Sequence, residues 1–111
     1  MKKRYRVKRN EEFQDIIGNG KSVASRGFVV YYKPATCLTN DRVGISVGKK
    51  LGNAVERNKV KRQVREMVKD VTDFSKGLDT IIIVRKGYSE RSFEENKIDL
   101  LKLYEKVYNN I

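Results

Sequence analysis

One stretch limits what this chain can fold into. From Gly48 to Lys69 it reads GKKLGNAVERNKVKRQVREMVK, and a single predicted helix there carries both an apolar and a basic stripe. Asn53 stands where an N-cap belongs, after Gly52 and three residues before Glu56, so the two side chains can satisfy orphan backbone donors reciprocally in a capping box. The spacing predicts a helix from about Ala54. Val60, Val64, Met67, Val68 and Val71 fall on one face of it, at the i, i+4, i+7, i+8, i+11 spacing that buries a stripe. Asn58, Lys61, Arg62, Arg65 and Lys69 form a second line about 130° away. The fold must cover the first line and leave the second outside.

That second line holds only cations and one amide, with Lys59, Gln63, Glu66 and Asp70 on the remaining face. A solubilising helix interleaves both signs, and like charges at neighbouring helix positions repel, so a polyanionic partner is the economical explanation. The charge distribution agrees. Residues 1–69 carry 18 Lys and Arg against 6 acids, and residues 70–111 carry 7 against 8, a split of +12 and −1. Nucleic acid is the leading partner and an anionic membrane the lesser one. With 111 residues and 39% hydrophobic content the chain is expected to be one domain, 1–111, with a core of its own. No apolar run approaches the roughly 20 residues of a membrane span, and MKKRYRVKR lacks a following signal region, so a cytoplasmic location is expected.

The single Cys37 cannot form an internal disulfide, and with no histidine there is no zinc set; it reads as an incidental loop thiol. No metal site is expected in the protein. The absence of histidine also removes the commonest general base near neutral pH. GISVGKK resembles a phosphate-binding loop but is one residue short, and Lys50 stands where Ser or Thr would hold magnesium. Lys49, Lys50 and the following helix N-terminus still supply positive potential.

Residues 1–9 form a basic arm suited to ordering on phosphate. Asn10 is positioned to cap a short helix with Phe13, Ile16 and Ile17 on one face, stopped by Gly18. Ser22–Ser25 is a candidate short strand, and Phe28–Lys33 a strong one, with Phe28, Val30 and Tyr32 opposite Val29 and Tyr31. The turn residues Asn40 and Asp41 lead into Arg42–Gly48, where Val43, Ile45 and Val47 alternate with Gly44, Ser46 and Gly48, and the two strands read as a hairpin with one flat face. That face, with Tyr31 and the first helix beside it, offers a shallow groove in which single-stranded RNA could stack; alternatively the first helix closes it. Thr80–Val84 reads as a central strand covered on both faces. Ser92 and Glu95 make a second capping box for a last helix, with Phe93, Leu100, Leu101, Tyr104, Val107 and Tyr108 as its apolar side. The order helix, strands, helix, strand, helix implies an α/β two-layer sandwich (α+β) with a mixed sheet.

Together, EEFQ, KSVASRGFVVYY, RVGISVGKKLGNAVERNKVKRQVRE and IIIVRK closely resemble the bacterial ribonuclease P protein subunit over nearly the whole chain. The core of the resemblance is RNxxKRxxRE, matched at Arg57, Asn58, Lys61, Arg62, Arg65 and Glu66; many members have Arg where Lys59 stands, which keeps the charge and gives up the bidentate fork. The resemblance implies order α-β-β-β-α-β-α, a four-stranded mixed sheet with three helices and a left-handed βαβ crossover. It implies an RNA that performs the Mg2+-dependent hydrolysis removing the 5′ leader of precursor tRNA, with no cofactor and no catalytic residue in the protein. By the same resemblance Arg57, Asn58, Lys61, Arg62 and Arg65, with Lys49, Lys50, Lys59 and Lys69, would face the catalytic RNA, and Phe13, Ile17, Val29 and Tyr31 the leader. DNA and membrane are not expected partners. The alternatives are a ribosomal-type binder of structured RNA without a catalytic partner, a helix-turn-helix DNA protein, and a nuclease using Asp15, Asp41 and Asp79. Sulfate or phosphate is expected to raise the thermal midpoint by binding the basic surface.

Overall fold

The computed structural model describes residues 5–7, 9–35, 41–72 and 74–111. In chain order the elements are α1 (Asn10–Asn19), β1 (Lys21–Ala24), β2 (Phe28–Pro34), β3 (Arg42–Val47), α2 (Ala54–Val71), β4 (Leu78–Val84) and α3 (Phe93–Asn109). Short 3-10 turns at Lys49–Leu51 and Lys86–Glu90 follow β3 and β4. The sheet order is β1-β2-β4-β3, with β1–β2 and β2–β4 antiparallel and β3–β4 parallel. This is the α+β arrangement of three helices on a four-stranded mixed sheet.

The expected hairpin of β2 with β3 does not form. β4 inserts between them, Ile82 pairing with Val30 on one side and Ile45 on the other. The reason lies in β4 itself, whose Ile81 and Ile82 are fully buried although they point to opposite faces. The hairpin is β1–β2 instead, closed where the Ser25 N–H donates to the Phe28 carbonyl at 2.8 Å. Asp79 and Thr80 are buried too, so β4 begins two residues before the β-branched run.

One face of the sheet is closed. Phe28, Val30 and Tyr32 of β2, Val43 and Val47 of β3, and Leu78, Ile82 and Val84 of β4 pack against Val64, Met67, Val68 and Val71 of α2 and Leu100, Leu103, Tyr104 and Val107 of α3. Val60 is only partly buried at the rim of this core. The Tyr104 hydroxyl, fully buried, shares a 2.8 Å hydrogen bond with Thr80, and burial pushes its pKa well above the ordinary tyrosine value. Both predicted capping boxes are present, with Glu56 N–H donating to Asn53 at 2.9 Å and Glu95 N–H to Ser92 at 3.2 Å. Gly52, at φ +129°, makes the first possible, since a Cβ there would lie 2.7 Å from the Glu56 carboxyl carbon.

Two helix readings are corrected. α1 is preceded by Arg9 at the N-cap with no side-chain bond and runs through Gly18 to Asn19, so Asn10 is its first helical residue rather than its cap. In α3, Phe93 and Leu101 are 36% and 40% exposed, while Leu103 and Asn96 are buried. The face is set by where the β1–β2 turn and the 3-10 turn after β4 lie, since Asn96 Nδ2 donates to the Tyr88 carbonyl at 3.0 Å. The basic arm is also partly tied down, because its apolar members dock. Val7 N–H donates to the Val43 carbonyl at 3.1 Å, Val7 is buried, and the Tyr5 ring stacks on Phe74 with centroids 4.2 Å apart. Cys37 and Asn40 lie outside the described residues.

Candidate nucleic-acid interface

α1 lies on the opposite face of the sheet and covers only part of it. The strand register places three rows there: Lys33, Asp79 and Arg42; Tyr31, Ile81 and Gly44 with Ser22; and Val29, Ile83 and Ser46 with Ala24. Ile16 seats on the middle row, and both it and Ile81 are buried. The third row is left half-open, with Val29, Ile83 and Ser46 partly exposed and Ala24 exposed. Phe13, Ile17, Tyr31 and Ile83 are partly buried around the Val7–Ile16–Ile81 cluster. The helix therefore closes the middle row and leaves the third row half-open beside it. All four expected groove residues, Phe13, Ile17, Val29 and Tyr31, come together on this face. Ser46, already expected on the flat face, joins Ile83 and Ala24 in the same row as Val29, and the places of Ile83 and Ala24 were not readable because cross-strand register decides them.

The basic stripe is equally real. Asn58, Lys61, Arg62 and Arg65 surround one shallow, open depression of about 460 Å³, with Val55, 76% exposed, completing its lining. Lys49, Lys50 and Lys59 are exposed nearby in sequence. Of the expected cations only Lys69 has an acidic partner, Glu66 at 3.1 Å one helical turn away; Lys49, Lys50, Arg57, Lys59, Lys61, Arg62 and Arg65 have none among the described residues. Arg57 departs from the stripe. It lies nearer the core side of α2, half-buried, with its Nε enclosed and without a hydrogen-bond acceptor.

α2 is held by groups on its other flank. Lys97 of α3 pairs with Asp70 at 2.7 Å, and the Tyr88 hydroxyl donates to Gln63 Oε1 at 2.7 Å. Burial pushes the Tyr88 pKa up to about 12, so this donor keeps its proton. Arg57, Lys61 and Arg65 lie on the opposite flank, away from α3.

The carboxylates considered for a nuclease are engaged in structure. Asp15 accepts from Lys33 and from Asn19, which holds its carboxyl below the usual range. Asp41 accepts from the N–H groups of Lys76, Gly77 and Leu78 at 3.0, 2.6 and 3.0 Å. Asp79 pairs with Arg42 at 3.0 Å, and that hydrogen bond, with the Glu12 pair, raises the arginine pKa despite its partial burial. Among the described residues no cluster of three or more His, Cys, Asp or Glu could hold a metal ion. Nor is any described helix long and apolar enough to cross a membrane.

The family model Ribonuclease P matches residues 1–108. The chain belongs to the ribonuclease P protein family. The ribonuclease P protein component of Bacillus cereus strain AH187 is 43% identical over 107 residues, covering 96% of this chain and 93% of its own length. A solved Staphylococcus aureus RNase P protein, 40% identical, superposes with a TM-score of 0.83 over 93% of this chain and 94% of that one. The RNase P protein of Thermotoga maritima, 32% identical, gives a TM-score of 0.78 over 91% and 96%. Function follows membership: the chain acts as a protein component of ribonuclease P, an endoribonuclease of tRNA processing, and its partner in that ribonucleoprotein is RNA.

Proposed function

We propose that the two exposed surfaces divide the RNA between them. The cations of α2 and its approach, Lys49, Lys50, Arg57, Lys59, Lys61, Arg62, Arg65 and Lys69 with Asn58, bind the catalytic RNA. The groove of Phe13, Ile17, Val29 and Tyr31 binds the single-stranded 5′ leader of precursor tRNA. One observation carries this reading: a half-covered sheet face with an aromatic rim exists in the same small molecule as a helix whose cations, Lys69 excepted, have no acidic partner among the described residues.

The mechanism is electrostatic and positional. Unpaired cations neutralise phosphates that would otherwise hold two RNAs apart, and each phosphate contact releases counterions. Bases stack on Phe13 and Tyr31, a contact open to any sequence because every base has a π-face. Only the precursor has a leader, so the groove adds affinity for substrate and none for product. Hydrolysis falls to the RNA, which supplies the Mg2+ site, and we place the activity in the cytoplasm.

The test is cleavage of a precursor tRNA at low magnesium by a bacterial ribonuclease P RNA, with and without this protein, beside protein alone. Cleavage at the mature 5′ end that needs both components is expected. Cleavage by the protein alone would overturn the assignment of chemistry to RNA. Unchanged cleavage on adding the protein would leave the alternative of a structured-RNA binder without a catalytic partner.

A further inference from the structure

The two flanks of α1 meet the sheet differently. Phe13 and Ile17 lean toward the open row, whereas Glu12, Asp15 and Asn19 lie on the other flank. The apolar flank is seated by Gly44. A Cβ at that position would lie 2.6 Å from Phe13 Cζ, 3.0 Å from its Cε1 and 2.6 Å from Ile81 Cδ1. The Ile81 tip can rotate away, but the Phe13 ring is rigid, so the ring rests at this depth only because residue 44 has no side chain. The acidic flank is pinned by cations of the sheet. Arg42 spans Glu12 of α1 and the buried Asp79 of β4, and Lys33 of β2 pairs with Asp15.

This arrangement also solves an electrostatic problem. α1 contains Glu11, Glu12 and Asp15 and no cation between Asn10 and Asn19. Such a helix would repel a nucleic-acid strand running beside it. The clamp turns two of its three carboxylates away from the groove and pairs each with a positive charge. The wall offered to the strand is then Phe13 and Ile17.

We infer that Gly44 and Arg42 are positioning residues for leader recognition: the absent side chain at 44 and the two-armed bridge from 42 to Glu12 and Asp79 together set the depth and tilt of α1, and so the width of the groove. This rests on the leader-binding reading above. Neither residue needs to touch RNA.

The test uses the holoenzyme reconstituted with a bacterial ribonuclease P RNA and compares its affinity for a precursor tRNA with that for the mature tRNA. Gly44→Ala should lower the precursor preference about tenfold, within what an ångström-scale misplacement costs. Affinity for mature tRNA should be unchanged, which a general loss of folding would not allow. Glu12→Gln removes the α1 end of the clamp without stranding Asp79, and a smaller drop of the same kind is expected. Phe13→Leu added to Gly44→Ala makes room for the new methyl and should recover part of the preference, although Phe13→Leu alone lowers it. Tyr31→Ala separates the two claims. If Tyr31→Ala removes the preference while Gly44→Ala and Glu12→Gln keep it within twofold, the positioning inference is wrong and leader binding stands. If the unaltered holoenzyme shows no preference, or Tyr31→Ala leaves it intact, leader binding fails and the inference falls with it.

Discussion

The two faces of the sheet use the same strands for different ends. On the α2–α3 side β2, β3 and β4 each contribute large buried side chains, β1 adds the partly buried Val23, and even the polar Thr80 and Tyr104 are paired with each other. On the α1 side the buried apolar cluster among the described residues is Val7, Ile16 and Ile81, and the helix is tied by ion pairs at one flank. Apolar packing is non-directional and strong in proportion to area, while partly exposed ion pairs contribute little but fix orientation. One face therefore holds the fold, and the other holds a geometry.

That contrast can be broken most directly in the cores. Leu100→Ala empties a fully buried site and should cost about 2–5 kcal/mol in urea unfolding, whereas Ile17→Ala, at a half-open position, should cost about 1 kcal/mol or less. Equal costs would mean that α1 is as much a part of the stabilising core as α3. The reverse dissociation is expected on α2. Arg62→Ala and Arg65→Ala should leave the unfolding midpoint nearly unchanged, while each flattens the salt dependence of RNA affinity by about one unit in the log–log slope.

The helix caps sharpen the comparison at smaller scale. Asn53→Ala opens the box at the start of α2 and should lower stability by about 1 kcal/mol. Because the cap also aims the first turn, a loss of RNA affinity beyond that of Ser92→Ala, which opens the matching box of α3, is expected for Asn53→Ala alone.

Smallest is the response to pH. Lys33 and Asn19 hold the Asp15 carboxyl low, and the Ser92 backbone and hydroxyl hold Glu95 low. A carboxylate depressed on folding binds its proton more readily unfolded, so both contributions are complete above the ordinary carboxylate value and fade as pH falls through the depressed one. Asp70 raises Lys97, and that contribution is complete below the ordinary lysine value and fades at higher pH. Asp15→Asn should remove part of the acid-side slope in stability, and an unaltered slope would count against the Lys33 pair.

Much of this was readable without coordinates because it is local. The two capping boxes, the α2 core stripe and the alternation of Phe28, Val30 and Tyr32 each depend on residues a few positions apart. Local pattern also gave the order of helices and strands, and the resemblance carried by RNxxKRxxRE added the expectation of one four-stranded mixed sheet with three helices. What the sequence concealed depends on long-range register. Nothing near Ser46 or Ile83 shows that they share a row with Val29, and β3 looked like the hairpin partner of β2 because β4 lies over forty residues downstream of β2. The same holds for Gly44. It reads as half of a flat strand face until Phe13 is placed on it.

The most direct test of a division of labour between the two faces is to titrate the isotopically labelled protein with a short single-stranded RNA and follow amide and methyl resonances. Shifts concentrated at Phe13, Ile17, Val29, Tyr31 and Ile83, with Leu100, Leu103 and Val107 unmoved, are the expected result. Shifts confined to α3, or spread evenly over every exposed lysine and arginine with the groove silent, would contradict it.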